Sequence, residues 1–160
     1  MPVHHFIFHA YGSWLPDRPE GYFKHGSLWQ PPNEQAEQQY RKNMQEEPIA
    51  FNKAQQQLLI EELIRAQPYQ RINLYSAATD STHVHAVVAW TDDRDPVRIR
   101  SGLKSSLTRM MNTRYGKRQW FVAKAGQTPI RGENHLTQLV HDYLPKHTLY
   151  WYYKSEENPS

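Results

Sequence analysis

The sequence predicts an α+β fold, a ferredoxin-like split βαβ sandwich in which helices pack on one face of an antiparallel sheet. Three observations point there. Stretches of strand character and stretches of helical period follow one another as strand, helix, strand, strand, helix, strand, helix. The two central strands are separated only by Thr79-Asp80-Ser81, a span short enough for a hairpin. The chain has 160 residues, no internal repeat and no Gly/Ser linker, so residues 1–160 read as one domain.

Each element has its own reason. Val3 to Ala10 (VHHFIFHA) is β-branched and aromatic with no breaker, which suits a first strand. Tyr11-Gly12-Ser13-Trp14-Leu15-Pro16 then leaves that strand through a Gly and a Pro, and residues 17–33 read as irregular loop. Asn33 to Glu47 is polar and rich in Glu and Gln, a short surface helix with Asn33 as its cap. From Asn52 to Ala66, Leu58, Leu59, Leu63 and Ile64 recur at three-to-four spacing, which predicts a helix that Pro68 stops. Arg71 to Ala78 and Thr82 to Trp90 are the hairpin strands. Pro96 fits the first turn of a second long helix, whose Val97, Ile99, Leu103, Leu107, Met110 and Met111 keep helical spacing to about Arg114, before Gly116. Trp120 to Ala123 reads as a short strand. Asn134 to about Tyr150 reads as a last amphipathic helix carrying Leu136, Leu139, Val140 and Tyr143.

Composition removes several classes of function. There is no Cys, which excludes disulfides, thiolate metal sites and a Cys nucleophile, and fits a reducing cytoplasm as the expected compartment. The longest uncharged apolar run, Ala86 to Trp90, falls far short of the ~20 residues that cross a bilayer. The N-terminus has no basic stretch followed by a long apolar one, so neither a secretory signal nor a membrane partner is expected. Charge is unevenly spread. Between Arg94 and Arg131 stand ten basic residues against one acid, Asp95, in a chain whose total is only +3. Such a segment suggests a surface that meets phosphates, with Lys104, Arg109, Arg114, Lys117 and Arg118 as the candidate contacts.

His83-Val84-His85 is the sharpest chemical feature. On a strand, alternate side chains share a face, so both imidazoles project to one side and Val84 to the other, with Val87 and Ala89 on the His side. Two such imidazoles make half of a metal site. A third ligand is available in the last helix, where Tyr143 and His147 are spaced i to i+4 and so share a face. A phenol beside a cation is placed to attack a bond that the cation polarises, and phosphodiester cleavage needs those two parts. Tyr150, Tyr152 and Tyr153 are nearby, but none has a His four residues later. His5 and His9 share a face of the first strand and fit a supporting or surface role. Pro145 lies between Tyr143 and His147, and its ring opposes the carbonyl of His141, so the helix should kink or end there.

These residues bear a likeness to a known family. The chain resembles the single-tyrosine HUH endonuclease transposases, in particular the branch of REP-associated tyrosine transposases. Tyr11-Gly12-Ser13-Trp14-Leu15-Pro16 is similar to the opening motif of one subgroup, Asp80 to Val88 to the strand bearing the His pair, and Leu139 to His147 to the helix bearing the nucleophile. The order of the three stretches agrees as well. The family usually has Gln or Asn where His147 stands, and Asn where Asp80-Ser81-Thr82 approaches the first His. The resemblance implies that His83, His85 and His147 hold Mg²⁺ or Mn²⁺, and that Tyr143 attacks a scissile phosphate to give a 5′-phosphotyrosine and a free 3′-hydroxyl. It implies single-stranded or hairpin DNA as the partner, bases stacking on aromatics such as Trp14, Trp29 or Trp120, and a homodimer as the assembly. Two other readings of the same residues stay open: a non-catalytic protein that binds DNA hairpins, and a zinc hydrolase unrelated to nucleic acid.

Overall fold

In the computed structural model, residues 2–13, 22–24, 28–30 and 46–153 are described. Strand β1 (Val3–His9) comes first, then the short pair β2 (Tyr22–Lys24) and β3 (Leu28–Gln30), where the sequence reads as irregular loop. Helix α1 (Lys53–Gln70) follows, then β4 (Asn73–Thr79), β5 (His83–Ala89), helix α2 (Pro96–Tyr115) and β6 (Gly126–Pro129). The chain ends in α3 (Glu133–Gln138), a π-helical turn (Leu139–Tyr143), a 3₁₀ turn (Leu144–Lys146) and β7 (Leu149–Tyr152). Apart from Glu46 and Glu47, the expected helix from Asn33 to Glu47 lies outside the described residues, as does Trp14.

Five strands form one sheet in the order β6-β1-β5-β4-β7, and every pairing is antiparallel. The first four are the split βαβ arrangement; β7 adds a fifth strand beside β4. Alternation on β1 and β5 sorts the two faces. Phe6, Phe8, Val84, Ala86 and Val88 turn to one face, where α1 and α2 cover them with Leu59, Leu63, Leu103, Leu107 and Met111. All are buried, and each large side chain contributes about 1.5–3 kcal/mol by leaving water. The other face carries Ala78 and Val87 and is covered in part by Leu139, Val140 and Leu144 of the terminal helical segment. The two long helices therefore share one face, while the terminal segment lies across the opposite one.

Three boundaries differ from the sequence reading, each for a definite reason. Pro68 lies inside α1 instead of stopping it. A proline at 68 removes the donor that the Ile64 carbonyl would receive; the side-chain amide of Gln67 supplies one instead, at 3.1 Å. The helix ends at Arg71, whose left-handed backbone (φ 54°, ψ 55°) lets its N–H donate to the Gln67 carbonyl. Trp120 to Ala123 forms only a single bridge, Ala10 to Phe121, and the strand beside β1 is β6. Its sequence, GQTP, hides this, because Gly and Pro depress strand character except at a sheet edge. The last correction concerns the predicted helix from Asn134 to Tyr150. It is α-helical only to Gln138, and Leu149–Tyr152 is a strand. Pro145 accounts for the break: it has no N–H for the His141 carbonyl, so the chain widens into a π turn and then tightens into a 3₁₀ turn.

Candidate active site

Antiparallel pairing of β1 with β5 sets His9 directly across from His83 and Ile7 across from His85, all on the face away from α1 and α2. The rings of His83 and His85 are nearly parallel with centroids 6.0 Å apart, and the His9 ring meets His83 edge-on at 4.7 Å. His85 is the most enclosed of the group at 2% exposure. The terminal segment then lowers two more rings onto it. His147 lies 4.4 Å from His85, Tyr143 lies 5.9 Å from His85, and Tyr143 and His147 are 5.0 Å apart. Tyr143 remains 48% exposed, so a large ligand can reach its hydroxyl. Although Pro145 ends regular α-helix, the π turn and the 3₁₀ turn together still bring Tyr143 and His147 side by side.

Hydrogen bonds hold these imidazoles by one nitrogen each. Asp80 closes the β4–β5 turn by accepting from the backbone N–H groups of Thr82 (2.9 Å) and His83 (2.8 Å), and its Oδ1 lies 3.2 Å from His83 Nδ1. Thr82 Oγ1 lies 2.7 Å from the same nitrogen. A carboxylate can only accept and the Thr82 hydroxyl can do so, so a proton on His83 Nδ1 satisfies both and leaves Nε2 its lone pair. Burial pushes the Asp80 carboxyl up, but the hydrogen bonds from His83 and from the backbone outweigh it and hold the group well below the usual carboxylate range. His147 Nδ1 lies 3.1 Å from the Leu144 carbonyl, another pure acceptor, so its Nε2 is also the basic nitrogen. His85 Nδ1 lies 2.9 Å from His5 Nε2. Burial, then the neighbouring imidazoles, hold His85 far below the ordinary imidazole value and His5 at about 4.

Imidazoles with Nδ1 engaged by the protein and Nε2 free to point elsewhere are the donor type that binds a first-row cation. In chemistry the set fits Mn²⁺ better than Mg²⁺, which prefers oxygen. In geometry it is unclosed: among the described residues, no group of three His, Asp or Glu side chains stands arranged to hold an ion.

The basic candidates are elsewhere. Ile99, Leu103, Leu107 and Met111 of α2 pack on the face that carries Val84, so the sheet separates the α2 cations from His85 and Tyr143. Lys104 Nζ donates to the carbonyls of Val122 and Ala123 at 2.8 and 2.9 Å. Arg118 donates to the Glu47 carbonyl, lies 3.4 Å from the Glu46 carboxylate and sits over the Trp120 ring at 5.4 Å. Trp120 itself is buried, with its indole N–H on Asn112 Oδ1 at 3.0 Å, so it belongs to the core and is no stacking platform. Arg109, Arg114 and Lys117 are exposed. Arg109 and Arg114 line a groove of about 680 Å³ between α1 and α2, together with Glu62, Arg65 and Tyr69.

Two residues of the site were less legible than His83, His85, His147 and Tyr143. His5 reaches His85, and its signal is strand period alone. Asp80 orients His83, and its signal is an Asp three residues before the His at a turn, where such side chains cap backbone N–H groups.

No family model and no curated protein matches the chain by sequence. Its fold is similar to a solved structure of a REP-associated tyrosine transposase bound to a REP hairpin, with a TM-score of 0.51 and 12% identity. The match covers 89% of this chain and 64% of that one, so the chain spans just under two thirds of its neighbour's length. At that identity the likeness is one of fold.

Proposed function

We propose that the chain is a metal-dependent nuclease and strand transferase acting on single-stranded or hairpin DNA, with Tyr143 as its nucleophile. One observation carries the reading: a half-exposed phenol stands against two imidazoles, His147 and His85, on the sheet face that also bears His83. The structural neighbour is a transposase bound to a REP hairpin, which supports DNA as the class of substrate.

In this reading the Tyr143 hydroxyl attacks the scissile phosphorus. A bond forms between Oη and phosphorus, the bond from phosphorus to the 3′ oxygen breaks, and that oxygen leaves as a 3′-hydroxyl after gaining a proton. The product is a 5′-phosphotyrosine. Because one ester replaces another, rejoining is the same step reversed and no nucleotide cofactor is consumed. A phenol ordinarily titrates near pH ~10, so the attack needs its proton removed; the half-exposed hydroxyl can lose it to solvent, and a cation held beside it would favour the phenolate. Mn²⁺ or Mg²⁺ held by His83, His85 and His147 would neutralise charge on the phosphate.

The test is incubation with Mn²⁺ and a suicide oligonucleotide carrying a hairpin, read by denaturing gel and peptide mapping. A covalent adduct on Tyr143 that is lost in Tyr143→Phe is the expected result. An adduct on Tyr150, Tyr152 or Tyr153 overturns the assignment. A second reading, hairpin binding without cleavage, draws on the unclosed ligand set; unchanged binding by wild type and Tyr143→Phe, with no adduct in either, would establish it.

A further inference from the structure

We infer that His5 is a positioning residue for this site: its Nε2 accepts the Nδ1 proton of His85 and thereby leaves the His85 lone pair on Nε2. The inference rests on the proposed function, because the ligand set is what selects between the two tautomers; a tautomer measurement on the metal-free protein tests it separately.

The contact begins in the sheet register. His5 pairs with Val87 of β5, and His85 is two residues from Val87, so His5 and His85 are diagonal neighbours on one face. Their rings lie 5.1 Å apart at 23°, and Nε2 of His5 lies 2.9 Å from Nδ1 of His85. Both side chains are enclosed, at 8% and 2% exposure. A buried hydrogen bond between two neutral imidazoles holds one proton, so only two assignments exist. In one, His5 donates; His85 then carries its own proton on Nε2 and cannot ligate through that atom. In the other, His85 donates and its Nε2 is basic.

The neighbours decide between them. His147 faces an acceptor-only partner, the Leu144 carbonyl, and a proton on His83 Nδ1 satisfies the Asp80 carboxylate and the Thr82 hydroxyl together, so both fit the Nδ1–H tautomer. The same tautomer at His85 gives three imidazoles with three Nε2 lone pairs on one side of the sheet. The opposite tautomer interrupts the set at its most buried member, whose ring lies 4.4 Å from His147. His5 acts here through another residue. It needs no contact with substrate.

The experiment uses the full chain with its histidines labelled with ¹⁵N. Two-bond proton–nitrogen correlation on the metal-free protein reads the tautomer, and titration with Co²⁺ alone, followed by its visible absorption, reads the ligand set. In the wild type, His85 should carry its proton on Nδ1. His5→Leu removes the acceptor, and Co²⁺ affinity should fall by about tenfold or more, the cost usual for losing an outer-shell partner. His5→Gln offers a carbonyl oxygen near the same place and should restore most of that affinity, which a purely structural role for the ring would not allow. A wild-type His85 protonated on Nε2, or unchanged Co²⁺ affinity in His5→Leu, overturns the inference. If His5→Leu does not fold, the wild-type tautomer and the Gln variant still decide it. Failure of the wild type to bind Co²⁺, with His85 nonetheless protonated on Nδ1, sinks the metal-dependent reading and leaves the assignment of His5 standing.

Discussion

Asp80 shows how a single side chain serves both the turn and the site. One oxygen caps two backbone N–H groups and also faces His83 Nδ1. Asp80→Ala should therefore lower stability by about 1–3 kcal/mol, the cost of leaving part-buried donors unpaired, read as a fall in denaturation midpoint. It should also release the His83 ring, visible as averaging of its NMR signals. Histidine burial makes a second prediction at this scale. His5 titrates at about 4 in the folded chain, lowered by burial and then by His135 and His147, against ~6.5 when unfolded. Between those values the unfolded state binds more protons. Stability should thus be full above pH ~6.5 and fall as pH drops, by at most ~1.4 kcal/mol per pH unit for this residue, levelling off below about 4. His85 is lowered in the same direction and adds to the slope. Thermal melts with chelator across this range check the sign; a melting temperature flat from pH 7 to pH 5 would refute it.

At the scale of elements, stretches with many apolar residues in phase were legible and short or interrupted ones were not. Asn52 caps α1 through a reciprocal box: its Oδ1 accepts from the Gln55 N–H at 2.8 Å, and Gln55 Oε1 accepts from the Asn52 N–H at 3.0 Å. Asn52→Ala should cost about 1 kcal/mol in chemical denaturation with little change in slope. At the other end, the sequence reading of one helix through Tyr150 could not see that β4 offers an open edge. Once Pro145 breaks the helix, Ser76 to Thr79 pair with Leu149 to Tyr152. Tyr150 Oη donates to the Val140 carbonyl at 2.6 Å, joining the new strand to the π turn. Local propensity favours helix across this stretch; the ladder with β4 prevails from Leu149 onward.

For the whole molecule, the dominant fact is that the five-stranded sheet lies between the His–Tyr cluster and the basic helix α2. Among the described residues no helix is long and apolar enough to cross a membrane. If exposed Arg109, Arg114 and Lys117 carry phosphate contact, log K for single-stranded DNA should fall against log salt with a slope near −2, at about −0.7 per contact. Because the sheet intervenes, replacing all three by Gln should weaken binding and leave the chemical step on bound DNA unchanged, as single-turnover cleavage would show. Loss of that step would mean that the two faces are coupled. The sequence by itself determined the split βαβ core, because in-phase apolar residues specify which face of each strand and helix is buried. It also determined that His83 and His85 share a face, because strand alternation is a local property. Only the tertiary structure decided that His147 and Tyr143 close over His85, that His5 is its hydrogen-bond partner, and that Lys104 and Arg118 are tied within the fold. Those outcomes depend on register between strands distant in sequence and on a proline-broken segment crossing the sheet, and no local pattern encodes either.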